Sequence, residues 1–338
     1  MISVGVVANY FENKDVALFF SQLAHMNISI TFFHPLRVFS LQRIQTSSIV
    51  LNEESFAVFE KNLFSDAKNF TRRLQVLSII LPSSFNNILR IVIHTDYSLP
   101  LWCWDRFRNA YLNTLPGLLD YIEKILHNIN YKVVIEVHPG FTFFNNCRIK
   151  ANAIVCESVE KSIGDLASCI NEFGRGAKAL RSGVDLCIEP RAGSIVRLKG
   201  KRRSEAQTLD NHVDAYLFAK STGLKLVLDA GQTVGKYSSN AFDRIWIELY
   251  GVALHDPAIV EEVHVHSPLA RRLRGHKLPD NTELAKFAGL IHYIVKSKSK
   301  TELLGIVYEV LNVSSERLVE NIKNLLSLLS NTKPPQVP

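Results

Sequence analysis

Side chains that commonly bind metals stand near the C-terminal ends of six successive predicted strands. Imidazole and carboxylate without thiolate are typical ligands of Zn²⁺, Mn²⁺ or Fe²⁺. Any one of them could instead be a hydrogen-bonded core residue or a helix cap. Burying so many unpaired carboxylates together is costly unless a cation neutralises them, so the joint pattern predicts a multi-ligand metal site. The residues are His94, Glu136, His138, Glu189, Asp229, His264, His266 and Glu309.

The strands that carry these residues alternate with amphipathic stretches, which predicts parallel strands joined by crossover helices. Eight such units in 338 residues predict one α/β domain, a (β/α)8 TIM barrel, with a doubly wound open sheet as the alternative. In a barrel the strands' C-terminal ends form the mouth, where the candidate ligands would converge. Predicted strands cover 2–9, 27–34, 88–96, 132–140, 185–193, 224–232, 260–268 and 303–310, and predicted helices include 115–129, 158–173, 209–222 and 281–297.

The chain shows no linker between domains. We expect the barrel to occupy 1–312, with an extra helix or a lid within 36–86. A C-terminal helix is predicted over 313–329, and the polar, proline-rich tail 330–338 is expected to be disordered.

Two basic runs follow the fifth and seventh strands, "RLKGKRR" (197–203) and "ARRLRGHK" (270–277). A single basic run is usually a solvated loop. Two runs beside one mouth favour a phosphate-rich ligand, because Arg and Lys neutralise phosphate charge. The net charge of +7 also favours an anionic partner. The residues predicted to contact phosphate or DNA are Arg197, Lys199, Lys201, Arg202, Arg203, Arg271, Arg272, Arg274 and Lys277.

Composition argues against several other classes of protein. Hydrophobic content of 47% and charged content of 21% are those of a folded globular chain. No apolar run approaches the roughly 20 residues that span a bilayer, and "MISVGVVANY" reads as a strand rather than a signal peptide. We therefore expect a cytoplasmic protein without a membrane partner. Five widely spaced cysteines without a CxxC pair predict neither a disulfide framework nor a thiolate zinc site.

A nucleotide cofactor is not expected. The stretch "AGQTVGKY" (230–237) differs from a phosphate-binding loop at both ends, with Ala230 in place of the first glycine and Tyr237 in place of the hydroxyl residue.

A succession of short motifs resembles the xylose-isomerase-like TIM barrels, and within them most resembles the endonuclease IV group of apurinic/apyrimidinic endonucleases. The motifs are "IHTDY", "VHPG", "IEPRAG", "LDAGQ", "VHVHS" and a Glu closing the last strand, all within 90–310. The resemblance implies a metal-dependent phosphodiesterase that cuts damaged or abasic duplex DNA on the 5′ side of an abasic site. Members of that group use three metals, usually zinc.

Carried over by position, the resemblance implies a first metal on His94, His138 and Glu189. Glu189 would bridge to a second metal completed by Asp229, His264 and Glu309. For the third metal only His276 matches the group's ligands, whereas Gln232 and Arg274 stand where the others are expected; His266 is a candidate substitute. We therefore predict two divalent metals, Zn²⁺ before Mn²⁺ or Fe²⁺, and leave the third open.

Two metals are sufficient for phosphodiester hydrolysis, because a pair about 3.5–4 Å apart activates water and stabilises the in-line transition state. Glu189, the ligand shared by the two metals, is expected to be a catalytic residue. Arg274 could place a fixed positive charge beside the phosphate, where the group has its third metal. Glu136, on the same strand face as His138, is a candidate base or positioning partner.

Two other functions remain open at the level of sequence. A sugar isomerase or epimerase on the same barrel needs only the Glu189, Asp229, His264 and Glu309 set. A nucleic-acid-binding barrel that has lost turnover is favoured by Gln232 and Arg274. The oligomeric state is not predicted.

Overall fold

The barrel wall is built from strands whose side chains are buried on both faces. The structure, a computed structural model, describes residues 1–8, 13–36, 49–50, 53–82, 84–95, 105–138, 144–145, 148–150, 153–156, 158–159, 168, 171–177, 183–190, 195–198, 211–233, 242–268 and 276–331. Within these ranges, eight parallel strands close in the order β1-β8-β7-β6-β5-β4-β3-β2. They are β1 Ile2–Val7, β2 Ser29–Pro35, β3 Leu89–His94, β4 Tyr131–Val137, β5 Val184–Ile188, β6 Lys225–Asp229, β7 Val260–Val265 and β8 Leu304–Tyr308.

Closure confirms the predicted (β/α)8 barrel and rules out the open sheet, because β1 pairs with both β2 and β8 and leaves no free edge. Helices follow the strands and cover the outer face with apolar side chains. Their bounds are α1 Asn13–His25, α2 Glu53–Ile80, α3 Asp105–Ile125, α4 His212–Thr222, α5 Phe242–His255, α6 Asn281–Ser297 and α7 Ser315–Asn331. Among the described residues, no helix is long and apolar enough to cross a membrane.

The prediction of a helix over 158–173 is wrong at its start. Ser158–Val159 is a short strand that pairs antiparallel with Phe144–Asn145, and the described helical residues of this region are 168 and 171–177. Pairing with a neighbouring segment outweighs the helical periodicity of the sequence, because propensity is weak compared with tertiary contacts.

A small second sheet lies outside the barrel wall. Its strands are ordered Ile195–Leu198, Ala153–Cys156, Arg148–Lys150 and Ile49–Val50. Each follows the C-terminal end of a barrel strand in the chain, so this sheet belongs to the segments that extend from the mouth.

The segment 36–86 contains α2, which packs against α1 and α3. At the other end of the chain, α7 continues to Asn331, two residues into the range expected to be a disordered tail. Side-chain hydrogen bonds one helical turn back, from Ser330 to Leu326 and from Asn331 to Ser327, accompany its last turn. Residues 332–338 of that tail lie outside the described residues.

A ring of apolar side chains fills the barrel interior beneath the mouth. It consists of buried residues separate from the outer core: Val7, Phe33, Val92, Val134, Cys187, Val227 and Val307. Five of them precede a candidate ligand by two positions, and side chains two apart on a strand face the same way. The ring therefore forms an apolar floor on which the polar side chains stand.

We expect Gly5→Ala to lower the free energy of unfolding by about 1–3 kcal/mol or more. A Cβ at Gly5 would collide with the backbone of Thr31 on the paired strand, which cannot move without opening the barrel. Gly251→Ala is the matched control, because no described atom lies within 4 Å of its added Cβ and alanine favours helix. Chemical denaturation checks both; equal stabilities of the two variants would contradict the prediction.

Candidate metal centre

The register of the barrel brings the candidate ligands together. His94 on β3 is paired with Glu136 on β4, and Asp229 on β6 is paired with His264 on β7. The side chains are almost completely withdrawn from solvent, with His264 and Asp229 at 0% exposure. A set of acids and imidazoles this deep must be satisfied by protons, by hydrogen bonds or by cations.

Three side chains form a first cluster at the mouth. His94 Nε2 lies 3.1 Å from His138 Nε2 and 3.3 Å from Glu189 Oε2, and the last two atoms are 3.2 Å apart. Ligands about 2.0–2.1 Å from a tetrahedral zinc lie roughly 3.3 Å from one another, so the three atoms have the spacing of ligands around one ion. His138 Nδ1 is 3.2 Å from the backbone carbonyl of Glu189. Donation from Nδ1 to that carbonyl would leave the Nε2 lone pair for a metal.

A second cluster surrounds His264 Nδ1. Glu189 Oε1 and Asp229 Oδ2 each lie 3.7 Å from this nitrogen, and Glu309 Oε2 lies 3.8 Å from it. His264 Nδ1 and Asp229 Oδ2 are buried without a hydrogen-bond partner among the described residues. A divalent cation would satisfy both atoms, so the residues fit the ion that the sequence predicts.

Glu189 belongs to both clusters through different oxygens. Oε2 faces the two histidines of the first cluster, and Oε1 faces His264 in the second. A carboxylate in this position can bridge two ions and hold them close together.

In the second cluster, burial and neighbouring charges shift the pKa values of the acids and of His264. Burial raises the pKa of Glu189 well above its ordinary value, and burial also raises the pKa of Glu309. Burial alone would raise the pKa of Asp229 too, but His266 and His264 outweigh it and hold that pKa well below its usual range. For His264 burial favours the neutral ring, yet the surrounding carboxylates raise its pKa well above the ordinary value. Without a metal, protons therefore supply positive charge to the cluster.

His266 contacts Asp229 rather than pointing away from the site. Its Nε2 lies 2.8 Å from Asp229 Oδ1, which also accepts a hydrogen bond of 2.6 Å from the backbone N–H of Gly231. These contacts leave Oδ2 directed at the second cluster. Gly231 is required by this packing, since a Cβ there would collide with the His266 ring.

A further group consists of His266, His276 and Glu309, each of which offers one ligand atom. The two imidazole rings lie 4.6 Å apart between centroids, and His276 Nδ1 is 3.7 Å from Glu309 Oε2. His266 Nε2 is engaged with Asp229, and the third metal, which the sequence left open, is not added to the two predicted ions. Gln232 lies within the short helical turn Ala230–Thr233, and its side chain is outside the described set.

Glu136 stands between the two clusters at 0% exposure. Its Oε1 lies 3.5 Å from His94 Nε2 and 3.6 Å from His264 Nε2, and neither oxygen has a hydrogen-bond partner among the described residues. Burial lowers the pKa of His264 and the nearby Glu136 carboxylate raises it. The role of Glu136 as a base or positioning partner stays a prediction.

Two of the predicted phosphate-contacting residues, Arg197 and Lys277, lie within the described residues. Arg197 lies in the outer strand Ile195–Leu198, and Lys277 is exposed. The backbone N–H of Ser267, just after β7, donates to the carbonyl of Lys277 at 2.8 Å. The others lie outside the described residues: Lys199, Lys201, Arg202, Arg203, Arg271, Arg272 and Arg274.

Sequence reasoning missed two buried residues beside the centre, Arg90 and Glu262. Glu262 Oε1 lies 2.7 Å from His264 Nε2, and its other oxygen accepts from Arg90. The sequence indicated a buried acid here, because "IVEEVHV" places two adjacent glutamates inside an apolar strand. Side chains alternate along a strand, so one of the two must face the barrel interior.

Comparison with known proteins supports the architecture. No protein-family model and no curated protein sequence matches the chain. A solved structure of the IolI protein with a bound zinc atom is 11% identical, with a TM-score of 0.52, and the match covers 99% of this chain and 100% of that one. Endonuclease IV from Thermus thermophilus is 16% identical, with a TM-score of 0.47, over 98% of this chain and 100% of that one.

A sugar phosphate isomerase/epimerase from Parabacteroides distasonis is 11% identical, with a TM-score of 0.47, over 98% of this chain and 96% of that one. At such identities the likeness to IolI shows the fold alone. That fold is the closed (β/α)8 TIM barrel described above. The endonuclease IV group within it is not distinguished.

We expect metal affinity to rise as pH increases from about 6 to about 8, because metal and protons compete for the same atoms. His264, Glu189 and Glu309 all have raised pKa values in the metal-free chain, so each must lose its proton before it can bind an ion. Zinc titration by calorimetry in two buffers of different ionisation enthalpy measures the protons released. A binding enthalpy independent of the buffer would contradict the prediction.

Proposed function

We propose that this protein is a metal-dependent phosphodiesterase of the endonuclease IV type that cleaves damaged or abasic duplex DNA. The observation that carries the proposal is the pair of ligand clusters that share Glu189. Two such sets suit phosphodiester hydrolysis, in which both the attacking and the leaving oxygen need stabilisation.

In this proposal His94, His138 and Glu189 hold the first ion, and Glu189, Asp229, His264 and Glu309 hold the second. When bound, the two ions act as Lewis acids toward the phosphate and lower the pKa of water, so that hydrolysis proceeds at neutral pH. The chain's own contribution is a rigid set of ligands on strand ends and an apolar floor that excludes bulk water from below.

Recognition of DNA is assigned to the basic run between β7 and α6. Its described flanks are held at the mouth, since Ser267 N–H donates to the Lys277 carbonyl at 2.8 Å and Leu311 N–H donates to the His276 carbonyl at 2.9 Å. Arg271, Arg272 and Arg274 lie in sequence between these two described flanks, and the proposal assigns phosphate contacts to them. Arginine is suited to this position because its planar fork binds phosphate oxygens in pairs.

We expect the protein loaded with zinc to nick duplex DNA that carries one abasic site, and Glu189→Gln to reduce the rate by about 100-fold or more. Changing a residue that merely supports a ligand already costs about 10–100-fold in affinity or activity, and Glu189 contributes an oxygen to both clusters. The measurement is a gel assay of single-turnover cleavage together with metal counting by elemental analysis. Glu320→Gln, on the exposed face of α7, is the matched control.

Two bound metals without nicking of abasic DNA would contradict this substrate. Loss of one metal equivalent in Glu189→Gln without any loss of nicking would contradict the proposed role of Glu189 as a ligand shared by both ions.

For Arg274→Ala we expect the turnover number to fall by about 100-fold, with metal content unchanged. The reason is that a fixed cation beside the phosphate stabilises charge developing in the transition state and is no metal ligand. Arg274→Lys should retain part of the activity, because the charge is kept while paired hydrogen bonding is lost. Cleavage rates and metals per chain check the prediction, and a fully active Arg274→Ala chain would refute it.

A metal-dependent sugar isomerase or epimerase is the second candidate. The observation that favours it is the self-contained second cluster, since one ion on Glu189, Asp229, His264 and Glu309 suffices to polarise a carbonyl or hydroxyl. One metal per chain, conversion of sugar phosphates and no nicking would favour this candidate. Binding of DNA without turnover would instead favour a barrel that has become a nucleic-acid-binding protein.

A further inference from the structure

We propose that Glu262, held by Arg90 across the barrel interior, is a positioning residue that sets which nitrogen of His264 faces the second metal. The inference rests on the metal centre of the proposed function, and it adds a buried pair that the resemblance does not include. The pair lies on the side of His264 opposite to the proposed ion.

The contact between Glu262 and His264 determines which ring nitrogen of the neutral imidazole carries the proton. Glu262 Oε1 lies 2.7 Å from His264 Nε2, a hydrogen-bonding distance at which the ring nitrogen donates to the carboxylate. A neutral ring that donates from Nε2 has its lone pair on Nδ1. That nitrogen lies at 3.7 Å from both Glu189 Oε1 and Asp229 Oδ2, where the second ion would sit.

Arg90 holds the Glu262 carboxylate in place. Its Nη1 donates to Glu262 Oε2, and its Nε lies 3.4 Å from Glu261 Oε1. Arg90 and Glu262 are both 0% exposed, so neither can exchange its partner for water. One oxygen of Glu262 therefore accepts from the guanidinium while the other accepts from His264.

Backbone irregularity makes room for this pair. Leu226 pairs with Val260 and Val227 pairs with Glu262, so Glu261 is an extra residue, as in a β-bulge. The bulge allows both neighbouring glutamates to reach the same guanidinium. Across from them Gly305 on β8 leaves the necessary space, since a Cβ there would lie 2.6 Å from Arg90 Nη1 and 2.9 Å from Glu262 Oε2.

A purely structural ion pair would not need this geometry. Buried pairs can often be replaced by apolar residues of similar size without loss of stability, so stability alone is weak grounds for keeping one. Carboxylate–histidine–metal arrangements, in contrast, orient the ring and raise its basicity. The distinction can be measured, because the two roles predict different effects on metal affinity.

The test is titration with Co²⁺ of the full-length chain in a His138→Ala background, in which only the second ligand set is complete. Absorption of the bound Co²⁺ reports affinity and coordination geometry independently of any enzymatic activity. We expect Glu262→Gln to weaken binding by about 10–100-fold and to alter the spectrum. Gln has one acceptor oxygen for two converging donors, so either His264 or Arg90 must face an amide N–H.

Glu261→Gln is the matched control. It removes a neighbouring carboxylate from the same guanidinium, and no described contact links Glu261 to His264. Its thermal stability can change, but its Co²⁺ affinity and spectrum should stay within about twofold of the parent chain. The double variant Arg90→Met with Glu262→Leu replaces the pair by apolar residues of similar volume. We expect it to fold, but to bind Co²⁺ as weakly as Glu262→Gln does.

Weak binding by the Glu262 variants with parental binding by Glu261→Gln supports the proposal. Parental affinity and spectrum in Glu262→Gln overturn it and leave the metal centre intact. If Glu262→Gln fails to fold, the Co²⁺ affinity of the double variant is used instead: weak binding supports the proposal, and parental binding overturns it. A parent chain that binds no Co²⁺ at this set overturns both this inference and the second metal of the proposed function.

Discussion

The dominant constraint in this structure is negative charge inside a closed barrel. Glu136, Glu189, Asp229 and Glu262 are each at most 1% exposed, and Glu309 is 9% exposed. Carboxylates so close together and so dry repel one another unless protons, a guanidinium or metal ions compensate them. Deep in the barrel Arg90 provides the compensation for Glu262. At the mouth the described side-chain contacts of Asp229 are with the imidazoles of His264 and His266, and these rings and the proposed ions compensate the carboxylates there.

Barrel closure turns this requirement into geometry. Parallel register brings the ends of β3 to β8 to one mouth, and the two-residue repeat of a strand directs alternate side chains inward. The apolar ring around Val134 and Val227 keeps the next inward residues, Glu136 and Asp229, at a common height. Small residues then permit close approaches, as Gly231 does for His266 and Gly305 does for Arg90.

Much of the candidate site could be anticipated because its residues obey local rules. His94, Glu189 and Asp229 each stand at or directly after the end of an apolar run, so their direction follows from the strand period alone. Two adjacent acids in β7 signalled a buried acid, but the pairing of Glu262 with Arg90 could not be anticipated, because it joins strands far apart in the chain beside a bulge that no sequence rule locates. The strand at Ser158–Val159 was missed for a similar reason, since its partner lies in a different segment.

The sequence by itself determined the fold class and the kinds of ligand available. Alternating strands and helices predict parallel strands joined by crossover helices and favour a barrel over an open sheet, and His, Asp and Glu at the strand ends favour a site for hard or borderline divalent cations. Only the tertiary structure decided which atoms each of these side chains contacts. It turned the two oxygens of Glu189 toward different clusters, turned His266 onto Asp229, and held His264 between Glu262 and the proposed ion. Such choices depend on distances of a few ångströms between residues far apart in the chain, and those distances are set only when the barrel closes.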